Sequence, residues 1–534
     1  MKCPAKLALL ALAVSAMLPG CSAFLPRRET ADEGRLPPAF AAESGEAVAP
    51  DRWWEAFGCP ELNGLLSEAL AENLTLRQAW ARLDQAGAVA IQVESSMYPD
   101  LTGEAGASYE RRDRTTENEK VSLGSRLRRT AVATASSTIS NAIVAQLNGG
   151  NAGTTGSSSA GRVSSSEIGG DVQVSTETKA YSLGLAASYE LDLWGRIWAN
   201  RQAAHLDVQT SYDDLQTTAM TLAAEIVSRW LSILELQAQQ ELLRQQLETN
   251  RTYLDLVELR FRKSMVSALD VYQQRQIVAA VEKQLPLLAA QEQVLRHELA
   301  VLLGKPPGAA LDLGTYNLDD VPPLPAAGLP ASLLINRPDI RAAYARLRSA
   351  DFDVAAARAD QLPAIRLTGQ AAYSAGEIEF LFDDWFANLA AGLTAPLFDG
   401  FRREAEVTRT RAVVEERLAA YRLAVLTAIR EVEDALLQER QQRAYLEALQ
   451  QQLEYANNAL READQRYRKG LNDYLPVLTA LEATQSLTRD VITAKRELLV
   501  YRVNLYRALG GTWSTELQPP PRLSEEGDTI GAEG

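Results

Sequence analysis

This 534-residue chain holds two copies of one long unit, and few folds can accommodate that. Asn73-Leu74-Thr75-Leu76-Arg77-Gln78-Ala79-Trp80-Ala81-Arg82-Leu83 returns as Arg337-Pro338-Asp339-Ile340-Arg341-Ala342-Ala343-Tyr344-Ala345-Arg346-Leu347, and in the same register Met97-Tyr98-Pro99 falls on Gln361-Leu362-Pro363. Further on, Arg260-Phe261-Arg262-Lys263-Ser264 matches Arg466-Tyr467-Arg468-Lys469-Gly470, and Leu303-Gly304 then falls on Leu509-Gly510 without a gap. Repetition on this scale means a duplicated supersecondary unit whose copies bury their apolar faces against one another or against further copies.

Each copy opens with apolar residues at helical spacing, Leu76, Ala79, Trp80 and Leu83 before Pro99, then Ile340, Ala343, Tyr344 and Leu347 before Pro363. Period-two stretches follow, residues 101–109 and 181–190 in the first copy and 365–373 and 386–396 in the second, and they read as two hairpins. Their connections differ. Residues 374–385 make a short loop, whereas residues 110–179 form a long insert rich in Gly, Ser and Thr that reads as a surface loop. The chain then turns helical over residues 196–262 and 402–468, with no proline from Pro99 to Pro286 or from Pro396 to Pro476. Each helix is about 65 residues, or roughly 100 Å. Val407, Val414, Leu418, Tyr421, Val425, Ile429, Val432 and Leu436 lie along one face as a coiled-coil seam. Breaks at Lys263-Ser264-Met265 and Lys469-Gly470-Leu471 precede returning helices over residues 268–303 and 474–509, each ending at a Gly suited to a left-handed cap. The expected fold is mainly α, in two repeats of helix, strand, strand, long helix, turn, helix.

The N-terminus bears on the compartment. Lys2 and Lys6 precede an apolar run over residues 7–18, too short to cross about 30 Å of hydrocarbon, so residues 1–20 read as a secretory signal. Leu18-Pro19-Gly20-Cys21 resembles the lipobox of bacterial lipoproteins, which implies that Cys21 is lipidated and that residues 21–50 are a lipid-anchored linker. Ser22, in place of an Asp, favours the outer membrane. With Cys3 lost and Cys21 modified, Cys59 has no intramolecular partner and is expected to be an inert buried thiol, so packing and assembly must hold the fold. No later stretch has 18 consecutive apolar residues, so any further membrane contact must come from strands, which hide their apolarity by alternation. A net charge of −15 argues against nucleic-acid binding.

Catalytic chemistry finds no support in the residues. His205 and His297 are the only histidines and lack metal-ligand spacing, and there is no phosphate-binding loop or nucleophile motif. Asp383-Asp384 reads as a pair of solvated turn residues. The expectation is a protein that is not an enzyme and needs no cofactor.

Arg52-Trp53-Trp54-Glu55-Ala56-Phe57 with Pro60-Glu61-Leu62, and the block Asn336-Arg337-Pro338-Asp339-Ile340-Arg341-Ala342-Ala343, resemble the TolC-type outer-membrane factors, specifically the lipoprotein branch of resistance-nodulation-division efflux systems. The resemblance covers residues 51–511. It divides the chain into a first repeat, 51–310, an inter-repeat linker, 311–335, a second repeat, 336–511, and a tail, 512–534. It implies a homotrimer whose twelve strands form a membrane β-barrel continued by an α-helical barrel, with residues 110–179 extracellular. Such a protein is the exit duct of a tripartite system, passively conducting drugs or other solutes, and works with a periplasmic adaptor and an inner-membrane pump. Elementary physics points the same way, because an open four-stranded sheet leaves edge backbone groups unpaired in hydrocarbon.

The resemblance also places the periplasmic tip, with its gate and adaptor-docking surface, at the two turns after the long helices. Arg260, Arg262, Lys263, Ser264 and Asp270 lie at the first, and Arg466, Arg468, Lys469, Gly470, Asp473 and Tyr474 at the second. A closed tip would be held by Asp473 or Tyr474 pairing with neighbouring Arg or Lys side chains. Ser264 stands where the family usually has Gly, and Pro476 where some members carry a constriction Asp. The plain alternative is that these are solvated turn charges, whose exposed pairs contribute only about 0–1 kcal/mol each. Two other readings compete: a type I protein secretion channel, and a lipid-anchored periplasmic coiled-coil structural or adaptor protein. The hairpins separate a duct from an adaptor, and the Trp53-Trp54 opening with the Arg337-Pro338-Asp339 block favours efflux. Trp53 and Trp54 are expected to anchor the core, and Trp194 and Trp198 either to sit at the membrane interface or to pack between strand and helix.

Overall fold

The computed structural model describes residues 37, 39–41, 51–116, 172–328 and 330–519. Cys21, the signal residues, most of the linker 21–50, residues 117–171 and the end of the tail lie outside the described residues. The chain divides into a helical unit, which includes Ala199–Ala357 and the chain from Glu404 onward, and a sheet unit of Glu94–Trp198 and Arg358–Arg403.

The first repeat contributes α1 (Pro60–Glu72), α2 (Leu74–Ser95), β1 (Asp100–Thr116), β2 (Val172–Leu191), α3 (Arg196–Arg262), α4 (Ala268–Glu282) and α5 (Gln284–Leu302). The second contributes α6 (Leu333–Asn336), α7 (Pro338–Ala359), β3 (Ala364–Ala375), β4 (Trp385–Thr394), α8 (Arg402–Arg468) and α9 (Leu475–Leu509). Helices α3 and α8 are each 67 residues long, so each extends roughly 100 Å. Asp192 starts α3 by accepting the Ile197 and Trp198 backbone N–H groups at 3.1 and 2.8 Å, donors that a helix start otherwise leaves unpaired.

One departure from the expected pattern has a covalent cause. The returning helix of the first repeat, expected to be continuous over 268–303, is broken at Lys283 into α4 and α5. Pro286 has no N–H to give the carbonyl of Glu282, and its ring crowds that same carbonyl, so the ladder stops there. Helix α9 has its proline, Pro476, in the first turn, where no partner is lost, and runs unbroken for 35 residues.

The duplicated sequence block proves to be a joint within the helical unit. In the first repeat Asn73 Nδ2 donates to the carbonyl of Leu302 at 2.7 Å, and in the second, at the matching position, Arg337 Nη1 donates to the carbonyl of Ala508 at 3.1 Å. Gly304 and Gly510 end the returning helices at φ +76° and +83°. A Cβ on either would lie 2.6 Å from a backbone carbonyl, Glu72 O or Asn336 O, so both positions require glycine on two counts. Asn73 also caps α2 by accepting the Leu76 N–H at 2.8 Å. Arg337 further binds Asp339 at 2.6 Å and Glu431 at 2.8 Å.

The main core of this unit forms around Trp53 and Trp54, buried as expected, together with Phe57. Trp53 stacks on Tyr506 at 5.4 Å, and Trp54 meets Trp513 edge-on at 4.8 Å, so the start of the segment assigned to the tail is packed core. The inter-repeat linker is packed as well: Leu313 and Leu318 are buried, and the Trp230 indole donates to the Leu313 carbonyl at 2.9 Å. Cys59 is buried, and burial pushes its thiol above the usual range, which keeps it protonated and unreactive.

In the sheet unit the strand order is β1-β2-β3-β4, antiparallel throughout, so the two hairpins join through β2 and β3. Leu101 pairs with Ala187, Leu185 with Ala371 and Ala371 with Ala387, which sets Leu101, Leu183, Leu185, Leu367, Tyr373, Trp385, Leu389 and Leu393 on one face. The other face carries Thr102, Glu104, Ser182, Ser188, Arg366, Thr368, Gln370 and Asn388. Large apolar side chains stand exposed on the first face, Leu389 at 84%. Edge strands β1 and β4 have no second partner among the described residues.

The expected loop 110–179 begins later and ends earlier than its composition suggested. The ladder continues from Glu110↔Thr178 to Thr116↔Val172. Arg111, Arg112 and Asp113 show no apolar alternation, but backbone pairing needs none once both faces are wet. Strand β4 stops at Thr394, short of the expected residue 396, because Pro396 has no N–H for a ladder. Among the described residues no helix is long and apolar enough to cross a membrane.

Candidate functional site

Both long helices end in the same turn. At the first, Met265 N donates to Arg260 O at 2.9 Å and Ser264 N to Phe261 O at 2.8 Å; at the second, Leu471 N donates to Arg466 O and Gly470 N to Tyr467 O, both at 2.9 Å. This is a Schellman motif, which needs a left-handed residue just past the helix. Gly470 supplies it at φ 73° without strain, whereas Ser264 adopts φ 59° with a side chain in place. A Cβ in that region costs roughly 1–2 kcal/mol. Part of it is offset by the lower chain entropy of serine in the unfolded state. Ser264→Gly is therefore expected to stabilise the first turn by about 0.5–1 kcal/mol, read as slower amide exchange at Ser264 and Met265 with no change at Gly470.

Beyond the turn, Ser267 and Asp270 form a capping box for α4, with Asp270 Oδ2 accepting the Ser267 N–H at 2.9 Å. Asp270 thus serves the helix start. Arg260 reaches from the first repeat to the second: Nη1 donates to the Tyr467 carbonyl at 3.0 Å, Nη2 to the Arg468 carbonyl at 3.2 Å, and the guanidinium lies 4.1 Å over the Tyr467 ring. A cation placed on the last carbonyls of α8 suits the negative end of that helix. Its counterpart Arg466 instead pairs along its own helix with Glu462 at 3.0 Å, so the two turns are not equivalent. Arg468 binds Asp464 at 2.7 Å, and Tyr253 OH donates to the same carboxylate at 3.2 Å.

Tyr474 is buried beside Tyr467, with ring centroids 5.2 Å apart, and its OH donates to Gln274 Oε1 at 2.6 Å. Within the chain it pairs with an amide and not with the Arg or Lys expected from the sequence. Burial pushes its phenol far above the ordinary tyrosine range, so the hydroxyl keeps its proton. Asp473, Arg262, Lys263 and Lys469 are exposed at the turns, among the exposed apolar side chains Phe261, Met265, Leu269 and Leu471.

A polar ladder that the sequence reading did not single out continues inward from Tyr474. Gln274 Nε2 donates to Asn250 O at 2.7 Å, Asn250 Nδ2 to Gln485 Oε1 at 3.1 Å, Gln246 Nε2 to Gln485 O at 3.1 Å, and Arg489 Nη1 to Gln246 Oε1 at 2.8 Å. Gln246, Asn250, Gln274 and Gln485 are all buried. The signal was available: Leu243, Gln246, Asn250, Tyr253 and Val257 keep the three- and four-residue spacing of a seam, so two amides occupy core positions. The described residues contain no group of three or more His, Cys, Asp or Glu able to hold a metal.

A sheet with one apolar face, in a chain whose helices are far longer than a single domain can bury, marks a component of a membrane wall. The family model described as "Outer membrane efflux protein" matches residues 65–305 and 329–511, and the chain belongs to this family. It is 33% identical over 480 residues, 90% of this chain and 91% of the relative, to the pyoverdine export outer membrane protein OpmQ of Pseudomonas aeruginosa. It is 31% identical to the toluene efflux pump outer membrane protein TtgF of Pseudomonas putida, over 64% of this chain and 71% of that protein. Among solved structures it resembles the outer-membrane channel OprN, with TM-score 0.73 and 26% identity, covering 90% of this chain and 98% of that one. The fold is also shared with CusC, at TM-score 0.72 and 22% identity over 90% of this chain and 100% of that chain. The protein is an outer-membrane component of an efflux system, and its relatives are channel and efflux proteins.

Proposed function

We propose that three copies close their sheets into one twelve-stranded barrel, and their long helices into a helical wall, to make the exit duct of a tripartite efflux machine. The observation that supports this best is the pair of edges on β1 and β4 that have no second partner among the described residues, beside a face on which Leu389 and Leu393 stand exposed. An open edge in hydrocarbon leaves backbone groups unpaired at several kcal/mol each, and closure with two further copies removes both edges together. In this reading Cys21 carries the lipid. Arg260, Arg262, Lys263, Ser264 and Asp270, with Arg466, Arg468, Lys469, Gly470, Asp473 and Tyr474, form the periplasmic tip, where a periplasmic adaptor docks and links the duct to an inner-membrane pump. A small solute is the cargo, as the pyoverdine and toluene of the relatives' names suggest. The linker 21–50, the repeats 51–310 and 336–511 and the joining segment 311–335 keep the roles given them by the resemblance.

The test is the assembly in outer-membrane fractions. Unheated samples are expected to migrate as a species of about three times the 58.3 kDa chain and to collapse to monomer on boiling. A lipid-free soluble monomer would refute the proposal. Leu389→Arg, on the apolar face, is expected to destabilise the inserted state by about 2–4 kcal/mol, whereas Gln370→Arg, on the polar face, should leave the yield of unheated oligomer unchanged.

A further inference from the structure

The connection between β3 and β4, residues 376–384, reads Gly-Glu-Ile-Glu-Phe-Leu-Phe-Asp-Asp. Ile378, Phe380 and Phe382 are 64%, 53% and 66% exposed, an unusual display for a loop that ends in water. The loop's direction is fixed by one contact. The Phe382 ring meets the Tyr373 ring at 5.4 Å and 68°, and Tyr373 belongs to the same face as Leu389 and Leu393. Phe382 therefore folds toward the apolar side of the sheet and away from the side lined by Thr368, Gln370 and Asn388.

The height of the apolar band gives that position a purpose. On β2 the band runs from Tyr181 to Leu191, about 33 Å along a strand, or roughly 25 Å at the tilt of a barrel strand, which matches an outer-membrane apolar girdle. Tyr181 lies opposite Ala375. On the neighbouring hairpin the last large apolar side chains of that face are Tyr373 and Trp385, paired one step lower, and Ala375 supplies almost no apolar surface at the top level. Ile378, Phe380 and Phe382 follow Ala375 within a few residues of chain, and Phe382 returns to touch Tyr373. Glu377, Glu379, Asp383 and Asp384 alternate with or flank them and are exposed.

We propose that this loop is a lipid wedge, resting its apolar side chains in the acyl region of the outer leaflet and completing the girdle where β3 and β4 fall short. The occupant is lipid because the cluster continues the lipid-facing band, and because the Phe382–Tyr373 contact turns it away from the polar face. The inference rests on the barrel reading above, and the experiment separates the two. Full-length protein bearing Phe380→Cys, Phe382→Cys, Leu389→Cys or, as a water-exposed reference, Glu377→Cys is nitroxide-labelled and reconstituted in phosphatidylcholine–phosphatidylglycerol vesicles, with unsubstituted protein labelled in parallel as a blank. Collision rates with oxygen, which concentrates in lipid, and with a water-soluble nickel chelate are then compared.

Labels at 380 and 382 are expected to favour oxygen over the chelate by at least about tenfold relative to a Glu377→Cys label, equivalent to about 1.4 kcal/mol of partitioning. A Leu389 label in lipid with 380 and 382 open to the chelate would overturn the wedge alone. Labels at 380 and 382 shielded from both reagents would also overturn it, by placing the loop against protein. A Leu389 label open to the chelate would overturn the barrel reading, and the wedge with it.

Discussion

Glu439→Ala is expected to cost about 3–5 kcal/mol. Arg502 on α9 is 0% exposed and Glu439 on α8 is 2% exposed. Arg502 Nε donates to Glu439 Oε2 at 2.9 Å, a second bond joins Nη2 to Oε1, and Nη1 donates to the carbonyl of Pro322 in the segment between the repeats. Truncating the carboxylate leaves a guanidinium buried with no countercharge, and that penalty far exceeds the net value of the intact pair. The double substitution Glu439→Leu with Arg502→Met removes both charges and keeps volume, so it should recover most of the loss. The measurement is the temperature at which the proposed trimer dissociates, together with its resistance to trypsin. A single variant as stable as the parent would mean that water reaches Arg502 and that the pair is not buried in the assembly.

The long elements were legible because they answer to rules that act locally and repeatedly. A proline-free run rich in Ala, Leu, Glu, Gln and Arg specifies a helix by propensity, and α3 and α8 span Arg196–Arg262 and Arg402–Arg468 as the pattern indicates. The seam on α8 was equally plain: Val414, Tyr421, Val425, Val432 and Leu436 are buried, with Leu418 and Ile429 packed against them. Alternation showed where the strands cross the apolar band. It could not show where they end, because Arg111-Arg112-Asp113 pairs through its backbone in water, where no face needs to be apolar.

The break at Lys283 was written in Pro286, which ends the ladder inside a run that is helical on both sides. At the tip, sequence reading favoured charges because charges are conspicuous at turns. The groups that join helices there are mostly neutral: Tyr474 bonds Gln274 across 200 residues of chain, and Asn250 bonds Gln485 across 235. No local rule links them. The repeated block carried a similar surprise, since Asn73 and Arg337 differ in type but share one task, holding the last carbonyls of their own repeat's returning helix.

Gln274→Leu should loosen the proposed tip, and the size of the effect follows from who loses a partner. Tyr474 starts α9 and Gln274 lies on α4, so any opening that parts those helices must first break the 2.6 Å bond between them. Both groups are buried, and the phenol stays protonated, so the bond does not fade across the physiological pH range. Leucine in place of Gln274 leaves the Tyr474 hydroxyl buried and unpaired, at about 1–3 kcal/mol. If the bond exists only while the tip is closed, open probability in planar bilayers should rise by about tenfold for each 1.4 kcal/mol of that cost. Amide exchange around Val477 and Leu478 should quicken in parallel. Adding Tyr474→Phe removes the orphaned hydroxyl, and since an apolar pair of similar shape is close to neutral, the double variant should return toward the parent's conductance. Faster exchange with unchanged conductance in Gln274→Leu would show instead that the ladder serves packing alone, leaving the gate to contacts between neighbouring copies.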